Sequence, residues 1–183
     1  MHRRPAAAWL VFAWRLPSGS STPRVTLWRS LRRLGAALIT PGAAILPFRE
    51  DLQEQLDWLA QEAEEQGGVG WVLPVTELSE VEERGIREQM NADRREEYDE
   101  LRAEASAFLE RMAGQVGTEP DGAARLRTDR ELVAFQRRFR KVRDRDYFGA
   151  PGRGETAEMI DRCLVHRQGI SARLTPVTDG RVS

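Results

Sequence analysis

Arginines on one side of a predicted helix are the residues of this sequence best suited to bind a ligand. Arg29, Arg32 and Arg33 stand at positions i, i+3 and i+4 of a helix predicted over residues 23–34, and Arg24 lies near its start. This spacing places the side chains on one face of a helix. A fixed guanidinium cluster binds phosphate bidentately, so these four residues predict a site for a nucleic-acid backbone or a tetrahedral oxyanion.

Ion pairing within the chain is the alternative role of these arginines. A second helix is predicted over residues 50–66, and in a sandwich the two helices would lie side by side. Exposed ion pairs contribute little free energy and leave arginine able to bind another partner, so the sequence leaves both roles open. The carboxylates that would neutralise the basic helix are Glu54, Asp57, Glu62 and Glu65.

A second basic segment lies at residues 137–143 and has the charge density of a DNA-contacting helix. Phe135 and Phe139 fall at the spacing of core residues rather than at that of stacking platforms. In the alternative interpretation, the acidic helix at 93–104 packs antiparallel against this segment and satisfies its charge. The candidate contacts are Arg137, Arg138, Arg140, Lys141 and Arg143.

No residue pattern predicts an enzyme, a metal site or a cofactor. Cys163 and His166 lie three positions apart, but a metal site needs three or four ligands and His2 is the only other histidine. The sequence shows no Ser-His-Asp arrangement and no Gly-rich phosphate loop that follows a strand.

One cysteine forms no internal disulfide, and no apolar run approaches the roughly 20 residues that span a membrane. We therefore expect a cytoplasmic protein.

Charge is strongly segregated along the 183 residues, although the net charge is only −1. Residues 1–49 contain eight arginines and no Asp or Glu, whereas residues 50–104 contain eighteen acids and five arginines. Residues 125–153 are basic again, with ten bases and four acids. This pattern indicates separate charged surfaces rather than an evenly mixed one.

The first 76 residues predict an α+β domain with the element order βαββαβ. Short right-handed crossovers around a hairpin make that order a ferredoxin-like sandwich over residues 8–76. Pro41 and Gly42 predict the hairpin turn, because proline fixes φ and glycine tolerates positive φ. The predicted strands are 9–15, 36–40, 43–47 and 69–75, and the predicted buried residues of the first helix are Val25, Trp28, Leu31 and Leu34.

The sheet face that the two helices leave uncovered is apolar and needs a second layer. That layer is either the C-terminal helices or a second copy of the chain, so a homodimer is expected. Trp58 lies off the apolar face of the second helix and is either a surface aromatic or an interface anchor.

A C-terminal helical extension is predicted over residues 77–169. It begins with a capping box formed by Ser79 and Glu82, and Gly85 is expected to break the helix early. A linker is predicted near 114–127, and residues 170–183 are expected to form a disordered tail.

The sequence resembles the N-terminal domain of the ChrB chromate resistance family. The resemblance is most specific at Trp28, Arg29, Leu31, Arg32, Arg33, Leu34, Gly35 and Ala36. It implies a cytoplasmic regulator of a chromate-efflux operon that binds duplex promoter DNA and responds to the chromate oxyanion, with no catalytic residues. The alternative is a non-catalytic protein-interaction or scaffold module with internally paired charges.

The same small domain is similar to the Cas2-like module of PaaX repressors and of a CRISPR-associated nuclease subunit. Those nucleases place an Asp at the end of the first strand, where this chain has Arg15, Leu16 and Pro17. No carboxylate occurs in residues 1–49, so the sequence offers no ligands for two-metal phosphodiester cleavage. The nuclease interpretation is therefore rejected.

Overall fold

A computed structural model describes residues 8–17, 21–114 and 122–174 of the chain. Within these residues the protein is a mixed α+β structure with a four-stranded antiparallel sheet and five helices. The elements are β1 (Trp9–Arg15), α1 (Ser21–Leu34), β2 (Ala37–Thr40), β3 (Ala43–Pro47), α2 (Glu50–Glu65), β4 (Val69–Val75), α3 (Glu80–Gly114), α4 (Gly122–Arg143) and α5 (Arg153–Leu174).

The described residues divide into two compact units. The first unit continues past residue 76 to Asp93 and also includes Arg145–Phe148. It therefore holds the sheet, α1, α2 and the first turns of α3. The second unit is helical and contains the rest of α3 together with α4 and α5.

One face of the sheet packs against α2. The strand order is β2-β3-β1-β4, and every neighbouring pair is antiparallel. A Cβ added at Gly70 would lie 2.6 Å from the Cα of Ala60, so only glycine allows β4 to approach α2 this closely. Directly opposed residues share a face, and Gly70 is opposite Trp14 while Val72 is opposite Phe12. Phe12 is fully buried on this face.

The opposite face of the sheet is partly covered by the segment Arg145–Phe148. Trp9 lies on this face, is 3% exposed, and has its ring centroid 5.8 Å from that of Phe148. Trp71 and Leu73 lie on the same face by their register with β1, and they are 54% and 49% exposed. The predicted need for a second layer is thus met over only part of the face in this unit.

The buried side of α1 differs from the predicted one. Leu27 and Leu31 are buried, whereas Val25 and Trp28 are 42% and 41% exposed. Both sets recur at helical spacing, but a helix buries only one stripe. Leu31, which was predicted to be buried, lies on the side that packs into the core, and Leu27 rather than Val25 or Trp28 is buried beside it. The prediction that Val25 and Trp28 are buried was wrong.

The hairpin turn at Pro41 and Gly42 is confirmed, but its predicted cause is not. Gly42 does not adopt positive φ; among the described residues, positive φ is confined to four other glycines, of which Gly35 follows α1. A Cβ at Gly42 would lie 3.0 Å from the carbonyl oxygen of Trp14, whose N–H donates to the Gly42 carbonyl at 2.8 Å. Close backbone approach, rather than φ, therefore favours glycine here.

The capping box at the start of α3 is confirmed. The Ser79 hydroxyl and backbone N–H donate to Oε2 of Glu82 at 2.6 and 3.0 Å, and the Glu82 N–H donates to Ser79 Oγ at 3.3 Å. The prediction that Gly85 breaks the helix was wrong, because α3 runs without interruption to Gly114. An interior glycine costs about 1 kcal/mol relative to alanine, which a well-capped helix of this length tolerates.

The core of the second unit contains apolar residues that recur at helical spacing on α3. Leu101, Ala105 and Phe108 are buried, and the Phe108 ring meets that of Phe135 edge-on at 5.7 Å. Helix α4 ends at Arg143, and the segment Arg145–Phe148 that follows belongs to the first unit. Residues 115–121 of the predicted linker lie outside the described residues.

At the C-terminus, α5 continues to Leu174, past the predicted end of the last helix at 169. Residues 175–183 of the predicted tail lie outside the described residues. No helix in the described part of the chain is both long and apolar enough to cross a membrane.

Candidate nucleic-acid interface

The structure places the four arginines predicted from the sequence on the exposed side of α1. Arg24, Arg29, Arg32 and Arg33 all lie at the surface, whereas Leu27 and Leu31 anchor the opposite side in the core. The helix begins at Ser21, so all four guanidinium groups are carried by one continuous, packed element. The core therefore determines which side of α1 presents positive charge.

Three of these guanidinium groups contact neutral partners. Nη2 of Arg24 donates to the Pro17 carbonyl at 3.1 Å, and Nη2 of Arg33 donates to Ser30 Oγ at 2.7 Å. The guanidinium carbon of Arg32 lies 5.1 Å from the centroid of the Trp28 ring. A carbonyl, a hydroxyl and an indole orient a guanidinium without neutralising it, so the charge of α1 is not compensated by these contacts.

Within residues 8–17, 21–114 and 122–174, none of the four arginines forms an ion pair with a carboxylate. The sequence-based alternative, in which the acids of α2 neutralise α1, is therefore not observed. The reason lies in the side that α1 turns towards α2. A small cleft between the helices is lined on α1 by Thr22, Pro23 and Thr26, and on α2 by Glu62 and Ala63.

The C-terminal end of α1 receives two side chains from the segment Arg145–Phe148. Nη1 of Arg145 donates to the Arg32 carbonyl at 3.2 Å, and the Tyr147 hydroxyl donates to the Leu34 carbonyl at 2.6 Å. The last carbonyls of a helix have no partner within it and carry partial negative charge, so an arginine is favourable there. Arg145 thus places a guanidinium group at the C-terminal end of α1.

No role was predicted from the sequence for Arg145 or Tyr147. They lie more than a hundred residues from α1 in the sequence, and no local pattern connects them to it. The tyrosine ring is also approached by Arg49, whose guanidinium carbon lies 5.8 Å from the ring centroid. Arg49 donates to both carboxylate oxygens of Asp51, at 2.9 and 2.8 Å, and this pairing raises the pKa of Arg49.

The basic segment 137–143 lies on α4 and is only partly paired. Arg138 forms an ion pair with Glu104 of α3, which raises the pKa of Arg138. Arg143 pairs with Asp144 at 3.1 Å. The other three basic residues are exposed and form no ion pair within the described part of the chain; they are Arg137, Arg140 and Lys141. Both predicted roles of this segment therefore retain support.

The described residues contain no group of three or more His, Cys, Asp or Glu side chains arranged to hold a metal ion. Cys163 is fully buried, and its thiol donates to the Ala105 carbonyl at 3.4 Å. Burial raises the pKa of this thiol. Cys163 therefore serves as a small buried core residue, and His2 lies outside the described residues.

Comparison with known proteins places this basic helix within a family. A family model described as "Protein ChrB, N-terminal" matches residues 24–179, which include all four arginines of α1 and the segment 137–143. The chain belongs to the ChrB N-terminal family. One ChrB relative, "Protein ChrB" of Cupriavidus metallidurans, is 35% identical over 103 residues, which are 56% of this chain and 31% of the relative.

The match to that ChrB protein thus spans about a third of its length. No solved structure matches the chain. The resemblance to ChrB that was drawn from the residues around Trp28 is confirmed at the level of the family. The nine basic residues proposed as contacts lie at positions 24 to 143, within the range that the ChrB family model covers.

Proposed function

We propose that this protein is a transcriptional regulator associated with chromate resistance and that it binds duplex promoter DNA through the exposed arginines of α1. The observation that carries the proposal is that, within the described residues, Arg24, Arg32 and Arg33 contact neutral groups and pair with no carboxylate. These arginines keep their full charge and lose little freedom on binding an anion. Membership of the ChrB family supports the link to chromate resistance.

The dimensions of α1 suit phosphates on a DNA backbone. At about 1.5 Å rise per residue, Arg29 and Arg33 lie about 6 Å apart along the helix axis. Two arginines this close together on one exposed side of a helix can each contact a phosphate of the same strand. Sequence readout is not part of the proposal, because phosphate contacts position a protein without reading bases.

The secondary contacts in this proposal are Arg137, Arg140 and Lys141 of α4, which form no ion pair within the described chain. Arg138 and Arg143 would have to give up their present partners, Glu104 and Asp144. We therefore assign α4 a smaller share of the affinity than α1. The chromate oxyanion is a second candidate ligand of these guanidinium groups, because it is tetrahedral and doubly charged like a phosphate.

We also propose that the protein is a cytoplasmic homodimer without enzymatic activity. Two features of the sheet support the ferredoxin-like interpretation, namely the order β2-β3-β1-β4 and its antiparallel pairing. The exposed Trp71 and Leu73 supply an apolar surface on which a second copy would pack. Dimerisation would double the number of phosphate contacts and steepen the salt dependence.

Mobility shift and fluorescence anisotropy of duplex DNA at low and moderate salt test the proposal. The wild type is compared with the variant Arg29/Arg32/Arg33→Ala and with a charge-preserving control, Arg29/Arg32/Arg33→Lys. We expect the alanine variant to lose most of the affinity and the lysine variant to retain part of it, because lysine keeps the charge but not the bidentate geometry. The slope of log K against log salt should become shallower by about 0.9 for each lost phosphate contact.

Two outcomes of this experiment contradict the proposal in different ways. If the wild type binds no duplex at low salt, DNA is the wrong partner. If the wild type and the alanine variant bind equally, α1 is the wrong surface, and the variant Arg137/Arg140/Lys141→Ala becomes the decisive one. Tryptophan fluorescence during titration with chromate, with sulfate as the control oxyanion, tests the second candidate ligand.

A scaffold or protein-interaction module remains the second candidate function, and the second unit favours it. Here some of the ion pairs join different helices, among them Arg111 with Glu131 at 2.5 Å and Arg102 with Glu155 at 2.7 Å. The internally paired charges expected for such a module are thus present in this unit. If neither the wild type nor the alanine and lysine variants of Arg29, Arg32 and Arg33 bind DNA, this function is favoured.

A further inference from the structure

The side chains of Trp28 and Arg32 form a cation–π pair on the exposed side of α1. They lie one helical turn apart, and the guanidinium carbon is 5.1 Å from the centroid of the indole ring. Trp28 is 41% exposed although it is a large apolar residue. Trp58 and Trp71 are also exposed, but within the described residues no guanidinium group stacks on either of them. Among the exposed tryptophans of the described residues, Trp28 alone has a guanidinium group over its ring.

Core packing does not account for Trp28. The residues that anchor α1 are Leu27 and Leu31, which are almost completely buried. The indole instead lies on the side that carries Val25, Arg29 and Arg32. Trp28 is therefore available to orient the guanidinium group of Arg32 on the exposed side of α1.

Stacking leaves the binding capacity of Arg32 intact. A guanidinium group is planar, so an aromatic ring contacts its face while the N–H groups point outward along its edge. A carboxylate partner would occupy those N–H groups, whereas an indole does not. Because a stacked arginine has already lost part of its rotamer freedom, it loses less on binding a phosphate.

We infer that Trp28 is a positioning residue for DNA binding: its indole holds the Arg32 guanidinium in the orientation that receives a phosphate. This inference rests on the proposed function and adds a residue to it. Trp28 would act through Arg32 and would not itself touch the DNA. A direct contact between Trp28 and the DNA predicts a different result in a double-mutant cycle.

The cycle consists of wild type, Trp28→Ala, Arg32→Ala and the double variant, each measured by anisotropy with one duplex at two salt concentrations. We expect Trp28→Ala to weaken binding about two- to fivefold, the range of an exposed cation–π contact. Arg32→Ala should also make the salt slope shallower by about 0.9. The double variant should bind like Arg32→Ala, because the tryptophan has nothing left to position.

Two further variants separate positioning from a structural role. Trp28→Phe keeps an aromatic face and should restore most of the affinity, whereas a merely apolar requirement would also be met by Trp28→Leu. Trp58→Ala removes the exposed tryptophan of α2, on which no guanidinium stacks in the described residues, and should leave the affinity unchanged. Equal binding by Trp28→Leu and Trp28→Phe, or unchanged binding by Trp28→Ala, overturns the inference.

The outcome of the cycle distinguishes this inference from the proposed function. If Trp28→Ala weakens binding equally with and without Arg32, Trp28 contacts DNA itself, and the positioning role alone fails. If the wild type binds no duplex, both fail. NMR of the free protein provides a separate measurement. In wild type, the indole ring should shift the resonances of the Arg32 side-chain protons, and this shift should be lost in Trp28→Ala. If wild type shows no such shift, the positioning role is also overturned.

Discussion

The hydroxyl of Tyr147 donates a 2.6 Å hydrogen bond to the carbonyl of Leu34, although 113 residues separate the two in the sequence. Leu34 is the last residue of α1, so its carbonyl has no partner within the helix. The bond therefore completes the end of the basic helix with a side chain from a distant segment. It also explains why Arg145–Phe148 belongs to the unit that contains the sheet.

Replacing Tyr147 by phenylalanine tests this bond. The ring stays in place near Arg49 and Phe148, while the donor to the half-buried Leu34 carbonyl is lost. We expect the free energy of unfolding to fall by about 1 kcal/mol. Urea denaturation measures the change, with the ring-preserving substitution Trp58→Phe at an exposed site as the control. Equal stabilities of Tyr147→Phe and wild type would show that water replaces the tyrosine at this carbonyl.

Two glycines with opposite surroundings provide a second prediction. In Gly70→Ala the new Cβ would meet the Ala60 backbone at 2.6 Å, so β4 and α2 must separate, and we expect a loss of roughly 1–3 kcal/mol. In Gly85→Ala, the matched control, no atom lies within 4 Å of the added Cβ, and helix propensity should raise stability by roughly 0.5–1 kcal/mol. Thermal unfolding measures both. A neutral Gly70→Ala would contradict the close approach of β4 to α2.

Much of the fold could be predicted from local patterns. Strands β1, β3 and β4 begin and end at the predicted residues, because turn residues bound each apolar run. The buried side of α1 could not be predicted, since two apolar stripes compete and only the packed structure decides between them. The prediction at Gly85 failed for a related reason. The low helix propensity of one residue does not break a helix that is long and well capped.

The candidate site was predictable in part. The spacing of Arg29, Arg32 and Arg33 indicates a shared surface, but the sequence does not determine which partners they have. Their neutral partners depend on the rotation of α1 about its axis, which turns Thr26 rather than an arginine towards α2. The contribution of Arg145 depends on a contact between distant segments, which a single sequence does not reveal.

The capping box of α3 gives a prediction about protonation. Hydrogen bonds from the Ser79 hydroxyl and N–H lower the pKa of the Glu82 carboxyl. Ser79→Ala removes the hydroxyl donor, so the pKa of Glu82 should rise towards its ordinary value, as followed by NMR titration of the carboxyl carbon. Because the folded-state pKa lies below the unfolded one, the cap stabilises above the unfolded pKa and is lost as pH falls through the folded one.

Other carboxyl carbons in the same spectra serve as the internal control for Ser79→Ala. Their titration curves should be unchanged if the substitution acts only on the cap. A Glu82 pKa that is the same in both proteins would show that the backbone N–H alone holds the carboxylate, and that the 2.6 Å bond from the hydroxyl contributes nothing.

Cys163 gives a prediction about stability at alkaline pH. Burial among the helices of the second unit raises the pKa of its thiol, so the folded state keeps the proton to higher pH than the unfolded state does. This contribution to stability is complete below the unfolded pKa of about 8.5 and is lost as pH rises through the folded-state pKa. Between pH 7.5 and 9.5, wild type should therefore lose more stability than Cys163→Ala, measured by urea denaturation at both pH values.

The reactivity of the same thiol provides an independent measurement. Attack on a disulfide reagent requires the thiolate and access to the sulfur, and Cys163 is fully buried with its thiol bonded to Ala105. We expect native protein to react with such a reagent only as fast as it unfolds, and urea-unfolded protein to react at once. Rapid modification of the native protein, together with equal pH dependence of wild type and Cys163→Ala, would place this cysteine at an accessible surface and contradict its assignment to the core.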